Sequence, residues 1–578
     1  MEKYPAIFEG AKVPNLVDWN IARLLELQAE RHGDRVAIAS LHQGIGWTFS
    51  DVLNNVKKLA ARLIDTGIKP GDRVMVLAGN TLEFIQVFFA SAAIGAIAVI
   101  INPTFSASEV QDAINVAEPR CIFIACRIGF RNYSDLLHQL GTSFKNGEVI
   151  AIGHSPEASG DEAYVSFETF LAGSSSAVNG QSPVANDSAV ALDQFWSKCS
   201  SSDPCCFQFT SGTTGARKAS MLSHSNLINN ANLVGHQLQL CSTDTICCCP
   251  PLSHCFGLVC GLLANFIQGG KLILPSDIFN PSVTLRALQD HECTIIHGVP
   301  SMFEALLNQA QRRKTKETFQ FKLRAGIIAG STPARDLLIA IKLQLGLRNL
   351  LYPFGMTELS AVCMCTALNE SLIDDNSSVG KVMPHTTAKV INEEGETLPA
   401  KNIGELCIRG YLMHLGYFRN EEKTKESIHI DASGNRWHRT GDLATFDSDG
   451  RCKIVGRSKD MIKKHGENIA PRDIEDILVT HPSIARAAVV GVPHEKHGES
   501  IVAFVESNHD SVNYQALKAW IREQKLSPHK MPDHFLPVGG PDGAIREMPL
   551  NTSGKVLKTE LRVVAERALL KDSAPTKT

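Results

Sequence analysis

The apolar and polar positions of this chain follow two rhythms, one over most of its length and another near its end. From Asp34 to about Ile124, helical patterns alternate with short unbroken apolar runs, such as Arg73-Val-Met-Val-Leu-Ala78, Ala96-Ile-Ala-Val-Ile-Ile101 and Cys121-Ile-Phe-Ile-Ala125. Runs without polar alternation fit strands buried on both faces, and this spacing predicts βαβ units and parallel sheet. The alternation resumes at Lys271-Leu-Ile-Leu274, Thr294-Ile-Ile296 and Ala325-Gly-Ile-Ile328. Between the two stretches, Gly173 to Ser200 is rich in Ser, Gly, Ala and Asn and reads as a surface excursion. A boundary falls near Val455 to Asp460. Beyond it the pattern is compact α+β: a helix from Ile474, strands Ala487-Ala-Val-Val490 and Ile501-Val-Ala-Phe-Val505, and a helix from Tyr514. The predicted architecture is a large α/β N-terminal domain with parallel sheets, residues 1–456, and a small α+β C-terminal domain, residues 457–578. The polar end, Ser573 to Thr578, is expected to fray.

One apolar stretch resembles a membrane span. Phe84 to Ile101 reads FIQVFFASAAIGAIAVII, about the length needed to cross a bilayer. Gly95 divides it, Asn102-Pro103 ends it, and its second half is β-branched. The prediction is a buried helix, a glycine turn and a buried strand, with no transmembrane segment.

Composition narrows the class. A chain of 578 residues exceeds a single hydrophobic core, and 44% hydrophobic with 20% charged residues is ordinary for a globular protein. A formal net charge of -3 supplies no basic field for nucleic acid or anionic lipid, so any nucleotide must be gripped locally. The 16 cysteines are never spaced Cys-x-x-Cys and fall in apolar runs, as in Cys247-Cys248-Cys249. The N-terminus lacks an apolar leader. Buried free thiols in a reducing compartment follow, with cytoplasmic placement expected. Thr576-Lys-Thr578 is a poor match to a Ser-Lys-Leu peroxisomal signal. Oligomeric state has no signature here.

The strongest chemical signal is Phe209-Thr-Ser-Gly-Thr-Thr-Gly-Ala-Arg-Lys218. Thr210, Ser211, Thr213 and Thr214 offer hydroxyls, while Gly212 and Gly215 let backbone N–H groups close around an anion. Lys218 adds positive charge at the far end. The spacing is not that of Walker A. Leu351-Tyr-Pro-Phe-Gly-Met-Thr-Glu358 supplies a carboxylate suited to a hard divalent cation that bridges phosphates. Thr440-Gly-Asp442 places a carboxylate in a turn, which by itself is common. A final segment, Asn551-Thr-Ser-Gly-Lys555, places a lysine after a Ser-Gly turn.

Together these segments resemble, in the right order and from about Leu25 to Arg562, the adenylate-forming superfamily of acyl-CoA synthetases, peptide-synthetase adenylation domains and beetle luciferases. The look is nearest to medium-chain and secondary-metabolism acyl-CoA ligases. The family's phosphate loop usually has Pro and Gly where this chain has Arg217 and Ala219, which puts loop stiffness in question without removing a phosphate donor. By resemblance, His254 of Pro250-Pro-Leu-Ser-His-Cys-Phe-Gly257 gates the acyl pocket. Ala329-Gly-Ser-Thr-Pro333 implies a turn lining both the acyl side, at Ala329 and Gly330, and the adenine side, at Ser331. Phe354 stands where the family's Tyr stacks on adenine, flanked by Tyr352 and Gly355. Thr357 meets the α-phosphate and Glu358 holds Mg²⁺. The resemblance also gives Asp442 and Arg457 to the ribose, Lys459 to the hinge, and Lys463 and Gly466 to the nucleotide and pantetheine side. Lys555 would bridge the substrate carboxylate and the α-phosphate, although the usual Pro-Arg-Thr lead is altered to Leu550-Asn551-Thr552.

The reaction so implied has two steps. A carboxylate attacks the α-phosphorus of ATP to give acyl-adenylate and pyrophosphate; the thiol of coenzyme A then displaces AMP. The phosphate loop, Glu358 with Mg²⁺ and Lys555 would spread the developing charge. No side-chain nucleophile is required. A fatty or related organic acid is the expected substrate. Two alternatives stay open at this stage: an enzyme loading a separate carrier protein, and a catalytically inactive nucleotide-binding relative.

Overall fold

The computed structural model describes residues 5–572, apart from 154–163, 174–194, 197, 212–216, 314–319, 466, 495, 508–512, 525, 540–542 and 551–555. The chain forms two compact units: a large one of Phe8–Ala388 and Ile408–His438, and a small one of Met1–Ile7, Lys389–Cys407 and Arg439–Thr578.

In the large unit the strands and helices that matter for the site run β1 (Val36–Ser40), β2 (Ile45–Thr48), α1 (Phe49–Asp65), β3 (Arg73–Leu77), α2 (Leu82–Ala93), β4 (Ile97–Ile100), α3 (Ala107–Ala117), β5 (Cys121–Ala125), β6 (Glu148–Ile152) and β7 (Val165–Ser166). They continue as β8 (Pro204–Ser211), β9 (Arg217–Ser223), α4 (His224–Gln237), β10 (Thr245–Cys248), β11 (Lys271–Leu274), β12 (Ile295–Gly298), β13 (Ala325–Ile328), β14 (Asn349–Leu351) and β15 (Gly416–Tyr417). One eight-stranded sheet has the order β7-β6-β5-β3-β4-β8-β9-β15, parallel from β7 to β8 and antiparallel beyond. A seven-stranded sheet has the order β14-β13-β12-β10-β11-β1-β2, parallel except at the β1–β2 edge.

The unbroken apolar runs become central strands: all residues of β4, β5 and β13 are buried. Phe84 to Ile101 resolves as expected into α2, a turn at Gly95 with φ +74°, and β4. Among the described residues no helix is long and apolar enough to cross a membrane. Thr81 caps α2, and reciprocal side-chain caps fix the starts of α1 (Thr48 with Asp51), α3 (Ser106 with Glu109) and α4 (Ser223 with Asn226). The 16 cysteines are free thiols, 13 of them buried, which fits a reduced interior. Most of the predicted excursion from Gly173 to Ser200 lies outside the described residues.

The small unit carries β16 (Arg436–Phe446, from Arg439 onward), β17 (Cys452–Arg457), β18 (Ile462–Lys464), β19 (Glu467–Ile469), α5 (Pro471–Leu478), β20 (Ile484–His494), β21 (Gly498–Ser507), α6 (Tyr514–Glu523), β22 (His534–Val538) and α7 (Lys558–Asp572). Period-two alternation on β20 splits its side chains between two cores. Val489 joins Ile474 and Leu478 of α5 and Leu517 and Ile521 of α6 on one face. Ala488, Val490 and Val492 join Leu561 and Ala565 of α7 on the other. The helix expected from Ile474 starts earlier, because Pro471 occupies the first turn, where its missing N–H costs nothing.

Candidate active site

The phosphate-loop segment is a hairpin growing from the C-terminal end of a parallel strand, where open α/β sheets place their ligands. Thr210 pairs with Lys218 and Ser211 with Arg217 across β8 and β9. The tip, with Gly212, Thr213, Thr214 and Gly215, lies outside the described residues. Arg217, which stands in place of the family's proline, anchors the root. Its guanidinium pairs with Glu109, the capping residue of α3, and lies 3.6 Å from the Phe105 ring centroid. Stiffness that a proline would give through its fixed φ comes here from an ion pair and an aromatic face.

Glu358 sits in a single 3₁₀ turn, Thr357–Leu359, and is only 5% exposed. Its Oε1 accepts from Tyr417 Oη at 2.9 Å, and its carbonyl accepts from His414 N at 2.9 Å. Burial, then the nearby carboxylate, pushes the Tyr417 phenol up, so it stays protonated and donates. The face of the Tyr417 ring receives the Lys218 ammonium, 4.9 Å from the centroid. His414 Nδ1 and Ser220 Oγ are 2.9 Å apart; burial, then His438 and Arg436, draw His414 down to about 3, leaving it neutral.

The turn around Glu358 is tight and needs fixing. Ser360 and Ala361 have φ of +58° and +103°, and a Cβ on Gly355 would lie 1.7 Å from Ala361 O. Glycine is therefore required at 355 by close backbone approach. The asparagines of α4 hold this turn from behind. Asn230 Nδ2 donates to Val362 O at 2.7 Å while its Oδ1 accepts from Val362 N at 3.1 Å; Asn226 Nδ2 donates to Tyr411 O and Met413 O. Tyr417, His414, Asn226 and Asn230 were not singled out by sequence reasoning. The run His224-Ser-Asn-Leu-Ile-Asn-Asn-Ala-Asn232 was the available signal, since a helix this rich in buried amides must be bonding backbone.

On the acyl side, half-buried His254 accepts from Phe256 N at Nδ1, 3.2 Å away, and its neighbour Cys255 brings a sulfur within 4.0 Å of Thr357 Oγ1. The acyl-gate candidate and the phosphate-contact candidate thus share one intermediary. The following Phe256–Leu263 turns are π-helical, a rare geometry frequent at functional sites. Phe256 stacks on His297 at 6.1 Å; burial holds His297 down at about 4. Ala329 follows β13, and Gly330 has φ +96°, a region that favours glycine, so backbone conformation alone accounts for that residue. Ser331 lies in the same turn. Tyr352 Oη donates to Thr332 Oγ1 at 3.0 Å, tying it to the segment of Phe354, whose N–H bonds Met364 O.

The small unit carries the remaining candidates. Asp442 and Arg457 are directly paired across β16 and β17, with Nε to Oδ1 at 3.4 Å. Lys459 is an exposed residue of a 3₁₀ turn, Ser458–Asp460, and partial desolvation, then the Arg457 charge, draws its ammonium below its ordinary value. Lys463 is an exposed residue of β18 whose N–H bonds Glu499. Gly466 and Lys555 lie outside the described residues. Among the described residues no three His, Cys, Asp or Glu side chains converge on a metal position. The carboxylate this site could offer a divalent cation is that of Glu358.

The sequence model of the AMP-binding enzyme family matches residues 25–418, and that of the AMP-binding enzyme C-terminal domain matches residues 473–555. The acyl-CoA ligase sidI of Aspergillus fumigatus is 39% identical over 577 residues, covering 98% of this chain and 95% of that protein. The mitochondrial medium-chain acyl-CoA ligase ACSF2 of Bos taurus is 33% identical, covering 96% and 89%. Among solved structures, the anthranilate CoA ligase AuaEII with anthranoyl-AMP superposes with a TM-score of 0.79 at 22% identity, over 97% of this chain and 99% of that one. ATP-bound MatB from Rhodopseudomonas palustris gives 0.76 at 23%, over 95% and 100%. The chain belongs to the AMP-binding enzyme family. Within it the chain is an acid–thiol ligase of the acyl-CoA synthetase branch, which joins an organic acid to coenzyme A through an acyl-adenylate at the expense of ATP.

Proposed function

We propose that the hairpin 210–218, Thr357 and Glu358 receive the triphosphate of ATP, that Phe354 stacks on its adenine, and that Asp442 and Arg457 take the ribose. The observation that supports this reading is the meeting of Lys218 and Glu358 on one side chain, Tyr417, which brings a cation suited to phosphate beside a carboxylate suited to a metal, as a metal-bound polyphosphate requires. Mg²⁺ held by Glu358 would supply positive charge at the phosphates. Thr210, Ser211 and Lys218 would orient the leaving pyrophosphate, and Lys555 would neutralise the repulsion between the incoming carboxylate and the α-phosphate. Lys459 is the proposed hinge about which residues 457–578 turn to bring Lys463 and Gly466 to the pantetheine arm.

The acyl substrate proposed is an uncharged-tail aliphatic or related acid. His254-Cys-Phe-Gly-Leu-Val-Cys-Gly-Leu-Leu263 and Ala329-Gly-Ser-Thr-Pro333 contain no Asp, Glu, Lys or Arg to meet a second charge on the substrate. A relative named for medium-chain acids supports this choice. Cytoplasmic placement is proposed from the wealth of reduced thiols. Pyrophosphate release should depend on added acid, and thioester formation on free CoA. A screen over chain length and aryl acids, with and without CoA, tests both, and pyrophosphate release indifferent to every acid would defeat the reading.

A further inference from the structure

The register of the phosphate-loop hairpin places one residue, so far without a role, between the two charged groups that grip the nucleotide. β15 adds to the outer edge of β9, with Ser220 opposite Tyr417 and Met221 opposite Gly416. The flanks are closed by Leu415 N to Met221 O and Phe418 N to Ala219 O, both 2.9 Å, and Tyr417 N bonds Thr424 Oγ1 at 2.9 Å. Side chains alternate along a strand, so Lys218 and Ser220 share the face on which Tyr417 lies. Lys218 is the diagonal neighbour of Tyr417, a position long and aromatic side chains can reach across. The ring is 7% exposed and is wedged by the edge of His414, whose centroid is 4.9 Å away. With its backbone bonded and its ring confined, the phenol has one direction, toward Glu358 Oε1.

We propose that Tyr417 is a positioning residue that couples the phosphate-loop lysine to the metal-binding carboxylate. Its hydroxyl fixes one oxygen of Glu358 and so fixes the direction of the other lone pairs. Its ring face holds the Lys218 ammonium at the root of the loop, so the two groups are set relative to each other through one rigid side chain. The inference rests on the reading of Glu358 as the metal-binding residue and of Lys218 as a phosphate-binding one. Tyr417 touches neither acid nor thiol, and its action is confined to the adenylation step.

The test is calorimetric binding of α,β-methylene-ATP to the full chain, with and without Mg²⁺, which reads affinity and not turnover. The ratio of the two dissociation constants is the metal gain. Tyr417→Phe keeps the ring and removes one hydrogen bond to a buried charge, so the metal gain should fall about tenfold or more while the metal-free affinity stays near wild type. Lys218→Met and Tyr417→Leu, which removes the ring face as well as the hydroxyl, should combine non-additively for the Mg²⁺ complex, by about threefold or more. Glu358→Gln is the reference and should abolish the gain. A Tyr417→Phe variant with the wild-type metal gain, beside a Glu358→Gln variant that has lost it, overturns the inference and leaves the site reading standing. Additive behaviour with Lys218→Met overturns the coupling. If Glu358→Gln itself keeps the gain, the site reading fails and the inference falls with it.

Discussion

Two regions that the proposed mechanism assigns to the same reaction are built in opposite ways. Around Glu358 every group is pinned: the carboxylate by Tyr417, the turn by Asn230, the hairpin root by Glu109 and Phe105. The 3₁₀ turn Ser458–Asp460 buries no residue, and the Arg457 side chain just before it is 44% exposed. Buried, bonded side chains hold a geometry; an exposed turn that buries none opens at low free-energy cost. In the proposed mechanism the first region must hold polyphosphate in a preorganised field, and the second must present different faces in the two half-reactions. The contrast teaches where each kind of substitution should be felt.

The largest expected effect concerns Lys555. If it contacts the reacting groups only during adenylation, Lys555→Ala should lower acid-dependent pyrophosphate release by about 10²–10³, while supplied acyl-adenylate and CoA still give acyl-CoA near the wild-type rate. Survival of both half-reactions would remove Lys555 from the site, and loss of both in a folded protein would remove the two-arrangement mechanism. Glu358→Gln should come next, raising the Mg²⁺ concentration for half-maximal pyrophosphate release by more than the roughly tenfold to hundredfold that loss of a ligand's supporting partner costs. An unchanged metal requirement would break the assignment of the pinned region.

Lys459→Pro addresses the looser region. Proline fixes φ and restricts the preceding residue, so turning about this position should be impeded while the large unit is untouched. Acyl-adenylate should still form, with its transfer to CoA slowed. Rapid-quench measurement of each half-reaction separates the cases, and equal slowing of both would count against a hinge at Lys459.

How much was legible beforehand follows the same division. The buried strands were plain, because parallel strands covered on both faces read as continuous apolar runs, and their ends came within one or two residues at Arg73, Cys121, Lys271 and Ala325. The glycines and carboxylates of the motifs were also plain, since ordered short motifs survive without context. Tyr417 was not: a lone tyrosine after a glycine acquires its meaning only from the pairing of Ser220 with Tyr417, a contact across nearly 200 positions, and sequence periodicity is blind to register between distant strands. Gly330, placed on the acyl side by resemblance, also answers a backbone demand that no pattern announced, a φ of +96°. Arg217 looked like a loss of stiffness because the ion pair that replaces it comes from α3.

The smallest effect sharpens the comparison from the side of stability. Asp244, 3% exposed in its side chain, lies just before β10 and accepts from Thr294 Oγ1 at 2.7 Å, Arg324 Nε at 2.8 Å and Nη2 at 2.5 Å, and Cys241 N at 2.9 Å. Burial by itself raises the carboxyl, but Arg324, Thr294 and the Cys241 amide outweigh it and hold the group below its ordinary value. A folded-state pKa below the unfolded one means a contribution fully present above about pH 4, the ordinary aspartate range, and lost as pH falls through the depressed value. Asp244→Asn should therefore lower stability near neutral pH by about 1–2 kcal/mol, less than a fully buried pair would lose because the Arg324 side chain is 35% exposed and partly screened. Urea unfolding of variant and wild type should show the gap at pH 7 and its narrowing toward pH 3. Both half-reactions, assayed below the unfolding transition, should be depressed alike if at all, because Asp244 ties together the starts of β10, β12 and β13 and takes no part in the turn at Lys459. A gap of equal size at both pH values would show that the carboxylate's charge is not what stabilises this corner, and a selective loss of one half-reaction would show that the sheet is not a passive scaffold.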